Sequence, residues 1–280
     1  MAQQYPIRDV CQALRVPRSS YYAWLNRGPS QRAAANQKLR EKLADLFVAH
    51  RQVYGSPRLR VCLQTAGIPC SRNRVARHMR ALHLQARQKR AFKPKTTDAN
   101  HPHPIAPNRL AQAGRPKALN QVWVGDITYI ATAQGWLYLA AVMDLCSRKI
   151  VGWATSDSLE TPLVKAALEQ AQKERRPPPG LLHHSDRGSQ YASGAYRALL
   201  HSCQMRPSMS AAGNCYDNAA MESFWSTLKT EWLHHKNFQS HQAARSAVFD
   251  YIETFYNPKR LHSALGYQSP VDFERITTHE

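Results

Sequence analysis

Residues 121–156, QVWVGDITYIATAQGWLYLAAVMDLCSRKIVGWATS, decide the fold. Three apolar runs follow one another there: QVWVGDITYIAT, GWLYLAAVMDLCS and RKIVGWATS. Their β-branched and aromatic content and their alternation predict three consecutive strands, with turns at GWL and at DLCSRK. In the first run Asp126 shares a face with Val122 and Val124 and opposes Trp123 and Ile127. A carboxylate on a central apolar strand is costly unless it is paired or binds a metal.

Downstream, TPLVKAALEQAQKE predicts a helix capped by Thr161, LLHHSD a fourth strand, and SGAYRALLHSC a helix. MRPSMS predicts a fifth strand, AAGNCYDN a loop, and DNAAMESFWSTLKTEWL and HQAARSAVFDYIETFYN two longer helices. Three strands in a row, then strands alternating with helices, imply a mixed sheet with helices on its faces. Two further acids join Asp126. Asp186 ends the fourth strand, where ligands bind in open α/β sheets, and Glu222 lies inside a helix that can turn its carboxylate back to the sheet. Fifty-nine residues separate the first two acids and thirty-five the last two. Three carboxylates so placed can hold two divalent cations about 3.5–4 Å apart, an arrangement suited to phosphoryl transfer. Oxygen donors with open water positions favour two Mg²⁺ ions, for which Mn²⁺ can substitute. Lys229, two helical turns after Glu222, is positioned to contact a phosphate beside them. Other residues compete for attention among the 19 acids. Asp144 reads better as a turn residue partnering Arg148, and Asp217 as the cap of the helix carrying Glu222. His183 and His184 leave a metal, substrate or structural role open.

The charge supplies the partner. Residues 1–98 hold 20 Lys/Arg against 4 Asp/Glu, and residues 99–280 hold 18 against 15, within a net charge of +19. The N-terminal third therefore reads as a grip on a polyanion, double-stranded DNA, and the remainder as a nearly neutral domain with an acidic centre. A ribosomal or histone-like role fits that remainder poorly. Residues 6–27 predict two short helices around a turn, with Val10, Leu14, Tyr21 and Trp24 packed together and Ser19 or Ser20 capping the second. That outline suits a helix-turn-helix or a plain helical hairpin. Residues 37–50 predict a helix with Leu39, Leu43, Leu46 and Phe47 on one face. A later helix, capped by Ser71, puts Val75, Met79 and Leu82 opposite Arg74, Arg77 and Arg80, an arginine face without acids that suits DNA. Residues 87–118, rich in Pro, Ala and basic residues, read as an extended linker that could run along DNA. The six cysteines include no CxxC pair, which argues against a zinc site of the usual spacing. Neither an apolar run of about 20 residues nor a signal-peptide stretch is present, so a reducing cytoplasm, in association with the nucleoid, and no membrane partner are expected.

WVGDITYI, HSDRGSQY, NCYDNAAMESFWSTLK and FYNPKRLHSALGYQSPVDF resemble the catalytic part of bacterial transposases of the insertion-sequence-three family. The resemblance covers most of residues 120–275 and implies a DDE integrase core of ribonuclease H-like fold. It assigns Asp126, Asp186 and Glu222 as catalytic metal ligands and Lys229 as a DNA contact. Residues 40–95, with YGSPRLR, resemble the helix-turn-helix segment that precedes such cores. Arg58 and Arg60 in that segment, and Arg187 beside Asp186, complete the expected DNA-contacting set. The expected domains are a helix-turn-helix-like segment over 1–34, a basic helix-turn-helix domain over 35–90, a Pro-rich linker over 91–118 and the catalytic core over 119–280. Two departures stand out. Ala211 and Ala212 occupy positions where relatives often carry a basic residue, and the retroviral-type His/Cys zinc module is absent.

What the resemblance implies is a transposase that binds terminal inverted repeats, nicks the element's 3′ ends and joins the freed 3′-OH to another phosphodiester. The family's route runs through a first end-to-end joining, a circular intermediate and later integration. Bringing two ends together requires a homodimer or a larger homo-oligomer. Such elements often use two overlapping frames; this chain resembles the second frame's product, so the upstream product is a further candidate partner. The rivals are a non-catalytic DNA-binding regulator and a ribonuclease H-like nuclease or resolvase. A tyrosine recombinase fits poorly, because no Arg/His/Tyr constellation stands out as the acids do.

Overall fold

A computed structural model describes residues 5–87, 104–114, 116–210 and 218–279. They divide into two compact units, residues 1–85 and 86–280. The first is helical: α1 (Ile7–Ala13), α2 (Arg18–Leu25), α3 (Gln31–Ala49), α4 (Ser56–Thr65) and α5 (Arg72–Ala81). The hairpin α1–α2 forms, but Pro17 occupies the capping position and both Ser19 and Ser20 lie inside the first turn of α2. Leu14 and Trp24 are 69% and 66% exposed, although the Trp24 ring meets that of Tyr21 at 6.1 Å between centroids, and Cys11 is the buried residue instead. Helices of two turns have too little surface to cover both apolar positions. The long helix α3 begins at Gln31, ahead of the apolar stripe that predicted it. Ser30 caps it by accepting from Ala33 N at 3.2 Å, and the alanines that follow supply propensity where periodicity is silent. Leu39, Leu43 and Phe47 of α3 are buried, as are Leu59, Leu63 and Val75 of the helices it packs against. Ser71 caps α5 as expected, accepting from Arg74 N at 3.2 Å.

The second unit is built on a five-stranded mixed sheet of order β3-β2-β1-β4-β5. Its strands are β1 (Val122–Thr132), β2 (Gly135–Asp144), β3 (Ile150–Ser156), β4 (Leu182–Ser185) and β5 (Arg206–Met209). β1, β2 and β3 are antiparallel neighbours, while β4 and β5 run parallel to β1. The β1–β2 turn is Ala133–Gln134, and GWL already belongs to β2; Gly135 makes this possible at φ +103°, a region closed to most side chains. Asp144, fully buried, organises the β2–β3 turn by accepting backbone amides from Asn120, Cys146 and Ser147 at 2.7–3.1 Å.

One face of the sheet carries Trp123, Ala140, Val142 and Val151 into a core shared with α7 (Thr161–Arg175) and α9 (Gly194–Ser202), the latter preceded by the short α8 (Ser189–Ala192). Glu160 holds the capping position of α7, and Thr161 is its first helical residue with Pro162 next, where a missing N–H costs nothing. The described end of the expected linker is docked rather than extended. Its short α6 (Leu110–Ala113) follows Arg109, whose backbone N–H donates to Ser208 Oγ at 2.9 Å and whose guanidinium donates to Pro207 O at 2.7 Å. The edge strand β5 leaves groups for a segment to bind. The linker's residues 88–103 lie outside the described residues.

Three helices complete the unit: α10 (Ala219–Glu231), α11 (His241–Tyr251), which runs on through a π turn at Ile252–Tyr256, and α12 (Pro270–His279). Asn218 holds the capping position of α10; the cap expected at Asp217, and Ala211 and Ala212, lie outside the described residues. Two buried ionic clusters anchor this end. Glu231 accepts from Arg260 at 2.8 and 2.6 Å and from Tyr251 Oη at 2.8 Å. Glu274 accepts from both terminal nitrogens of Arg175, at 2.8 and 2.9 Å, and from Ser147 Oγ at 2.8 Å. Among the described residues no helix is long and apolar enough to cross a membrane.

Candidate active site

β1 and β4 pair in parallel, with Val122 opposite Leu182 and Val124 opposite His184. Two residues further on, the same register sets Asp126 beside Asp186 just where the strands leave the ladder. Neighbouring strands stand about 4.8 Å apart, so the two carboxylates are close neighbours. Each is held by backbone: Asp126 Oδ1 accepts from Ile127 N at 2.9 Å, and Asp186 Oδ1 from Gly188 N at 2.9 Å. Asp126 Oδ2 accepts from the indole Nε1 of Trp225 on α10, also at 2.9 Å.

Glu222 enters from the first turn of α10, one turn before Trp225, with an exposed side chain. Its charge reaches Asp126. Burial and then the Asp186 carboxylate push the Asp126 carboxyl up to about 7; Glu222 adds a smaller push, and the hydrogen bonds from Ile127 and Trp225 oppose them. Among the described residues, no three His, Cys, Asp or Glu side chains converge closely enough to hold one ion between them. Asp126 and the neighbouring Asp186 are nonetheless oxygen donors of the kind Mg²⁺ takes, with Glu222 near enough for its charge to act on Asp126. Mg²⁺ is commonly held by one or two carboxylates and keeps several waters. The crowding of like charge at Asp126 is what a cation would relieve.

Lys229 lies on the same helix, its Nζ 4.9 Å from the centroid of the Tyr129 ring. Burial lowers its pKa, while the negative charge of Asp126 pulls the other way. Arg187 is half-buried and donates to Ser210 O at 2.7 Å, so its guanidinium already serves the loop beside Asp186. The two histidines are structural. His183, fully buried, is hydrogen-bonded to Tyr196 Oη at 3.1 Å, and burial drives its pKa down to about 3, so it stays neutral. A Cβ at Gly125 would stand 3.2 Å from that ring, which explains a glycine next to Asp126. His184 bridges Ser208 Oγ at 2.9 Å and Ser210 Oγ at 3.1 Å.

In the first unit the expected arginine face separates into two kinds. Arg77 and Arg80 are exposed, whereas Arg74 is partly buried and donates to Asn36 Oδ1 at 2.8 Å, tying α5 to α3. Arg60 is exposed; Arg58 lies over the Tyr54 ring at 5.4 Å. Residue-by-residue reading missed Trp225. Its spacing of three from Glu222, which puts both on neighbouring positions of one helix, was the available signal.

Comparison with known proteins follows the same division. An integrase core domain family matches residues 116–215, a second integrase core domain family residues 203–270, and an HTH-like domain family residues 34–92. The transposase InsF for insertion sequence IS3A of Escherichia coli (strain K12) is 41% identical over 275 residues, 97% of this chain and 94% of that protein. This chain belongs to the IS3-family transposases. The insertion element IS600 uncharacterized 31 kDa protein of Shigella sonnei is 46% identical over 264 residues, covering 94% of this chain and 97% of its own length. The transposase for insertion sequence element IS904 of Lactococcus lactis is 41% identical over 254 residues, 91% of this chain and all of that protein. As an IS3-family transposase the chain is an enzyme with a DDE-type integrase core, of the polynucleotidyl transferase superfamily. Its mixed sheet with flanking helices is the ribonuclease H-like fold of such cores.

Proposed function

We propose that this transposase binds the terminal inverted repeats of its element, nicks their 3′ ends and joins the freed 3′-OH to a second phosphodiester. The observation that carries the reading is the β1–β4 register that sets Asp126 beside Asp186, with the charge of Glu222 felt at Asp126. Asp126, Asp186 and Glu222 are the catalytic carboxylates and would hold two Mg²⁺ ions; Mn²⁺ has the same oxygen chemistry and can replace them. When bound, the ions supply activation of the attacking oxygen and stabilisation of the leaving one. The chain's own residues do the positioning. The Ile127 and Trp225 donors fix the Asp126 carboxylate, the Gly188 amide fixes that of Asp186, and Lys229 contributes a cation beside them for a DNA phosphate.

On the first unit, Arg77, Arg80 and Arg60 supply the exposed charge for double-stranded DNA, and Arg74 and Arg58 support the helices that present it. Two ends must meet for joining, so the working form is a homodimer or larger assembly acting at the nucleoid in the cytoplasm. The test is strand transfer by purified protein on an oligonucleotide carrying the element end, with Mg²⁺. Nicked and joined products are expected from the native chain and neither from Asp186→Asn. Cleavage without a joined product supports a nuclease instead. End binding with no cleavage supports a regulator. Activity unchanged in Asp186→Asn refutes the catalytic assignment.

A further inference from the structure

Asp126 is the carboxylate on which the site turns, and a backbone amide alone does not fix it. Ile127 N holds Oδ1 alone, so the carboxylate could still swing Oδ2 about that contact. The group that prevents this is Trp225. Its indole N–H donates to Oδ2 at 2.9 Å, from a ring that is 7% exposed and packed against Phe224 at a centroid distance of 4.7 Å. An indole has one donor and no acceptor, so this contact cannot reverse its polarity. A carboxylate has about four lone-pair sites. Ile127 N takes one on Oδ1 and Trp225 takes one on Oδ2, which leaves acceptor capacity on both oxygens for a cation.

Position on the helix adds a second consequence. Trp225 and Glu222 are one turn apart on α10. The helix that delivers Glu222 is therefore locked to the strand that delivers Asp126 through a hydrogen bond made at the reacting end of the site. Further along, Glu231 at the C-terminal end of α10 is fixed by Arg260 and Tyr251. Between these two points the helix has little freedom to slide past β1.

We infer that Trp225 is a positioning residue of the metal site, which orients Asp126 and sets its spacing to Glu222 through the indole N–H. This rests on the reading of the three acids as cation ligands. Outer-shell donors of this kind typically govern metal affinity by about 10–100-fold. The expected loss on removing the donor is therefore a Mg²⁺ dissociation constant raised 10–100-fold, with the maximal rate at saturating Mg²⁺ changed far less.

The experiment is calorimetric titration of the full chain with Mg²⁺ in the absence of DNA, joined to the Mg²⁺ dependence of strand transfer. Trp225→Phe keeps an aromatic ring and loses the donor. Replacement of Trp225 by 3-benzothienylalanine, with sulfur in place of N–H, keeps the shape more closely and covers the case in which the phenylalanine variant folds poorly. Phe224→Leu is the control, since it disturbs the same packing and leaves the hydrogen bond. Both donor-less variants should bind Mg²⁺ 10–100-fold more weakly, and the control should bind as the native chain does. Native affinity in the donor-less variants, or an equal loss in Phe224→Leu, overturns the inference. Asp186→Asn separates this from the site itself. If Asp186→Asn loses Mg²⁺ binding and the Trp225 variants do not, only the role of Trp225 falls. If Asp186→Asn binds as the native chain does, the metal-site reading falls and takes this inference with it.

Discussion

Removing the charge of Asp126 should relieve the metal-free protein of a destabilisation that grows with pH. Burial and the neighbouring Asp186 carboxylate move this carboxyl from 3.8 to about 7. A carboxyl whose folded pKa is raised contributes stability below its unfolded value that is lost as pH rises through its folded value. The proton on Asp126 thus supports the fold fully below about pH 4, and that support is gone by pH 8. Integrating between pH 5 and 8 gives a loss of about 2.5 kcal/mol. Asp126 as a residue is only partly buried, and solvent screening reduces the attainable value to about 1–2 kcal/mol. Asp126→Asn abolishes the titration. Its amide also turns a donor toward Ile127 N or Trp225 Nε1, costing about 1–3 kcal/mol at every pH. The amide cost cancels when the two pH values are compared, so the readout is the difference. Urea unfolding in EDTA should show Asp126→Asn gaining about 1–2 kcal/mol on the native chain between pH 5 and pH 8. Adding Mg²⁺ at pH 8 should raise the native chain's stability and leave the variant's where it was. An identical native-to-variant difference at both pH values would refute the argument, because it would mean that neither burial nor the neighbouring acids raise the Asp126 carboxyl.

Three further outcomes are expected. Arg260→Met strands a buried carboxylate at Glu231 and should cost about 3–5 kcal/mol in urea unfolding, most of it recovered in the double variant Glu231→Leu/Arg260→Met. Gly152→Ala would drive a methyl into the Ala167 carbonyl and Ala171 where α7 crosses β3, so a loss of about 1–3 kcal/mol should appear as a lower Tm. Arg77→Ala/Arg80→Ala should weaken DNA binding and lower its salt slope by about 2 while leaving the fold intact; Arg74→Ala should instead lower the melting point of the first unit, because its guanidinium ties α5 to Asn36.

What the sequence disclosed, and what it withheld, follows the range of the interactions involved. The alternation from Val122 to Ser156 identifies three consecutive strands, which pair antiparallel, because each residue's environment depends on its near neighbours and one hairpin partner. Ser71 and the stripe through Leu39, Leu43 and Phe47 are equally local and equally legible. The pairing of β1 with β4 is not, for it crosses some sixty residues, and only that register sets Asp126 beside Asp186. The family words around the acids substitute for this missing geometry. Trp225 escaped for a related reason. An aromatic residue in SFWSTL reads as core, and it is core, but its one polar atom meets a strand 99 residues away. The docking of Arg109 and α6 on Ser208 escaped because a Pro-rich basic segment has no period to betray a tertiary contact. The starts of α2 and α7 went to Pro17 and Glu160 because the candidate caps Ser19, Ser20 and Thr161 were already inside the first turn.

The acids themselves separate into two classes once their neighbours are known. Glu231 faces Arg260, Glu274 faces Arg175 and Lys149, and Asp144 faces three backbone amides; each is neutralised or solvated by the fold. Asp126 is treated differently. Two dipoles hold it in place, yet the charges that act most strongly on it are carboxylates of its own sign, and Lys229 opposes them only from the flank. A partly buried anion left in that condition destabilises the fold that contains it, and an apolar residue in its place would cost less. The cost is sensible if the missing counter-charge comes from outside, as divalent cations followed by the DNA they engage. The fold elsewhere is built to carry that cost: the Glu231–Arg260 pair pins the far end of α10, and the His184 bridge to Ser208 and Ser210 pins β4 just before Asp186. Rigid ends around a frustrated centre keep Asp126 and Asp186 from relaxing apart, which is the condition the proposed metal site needs before its ions arrive.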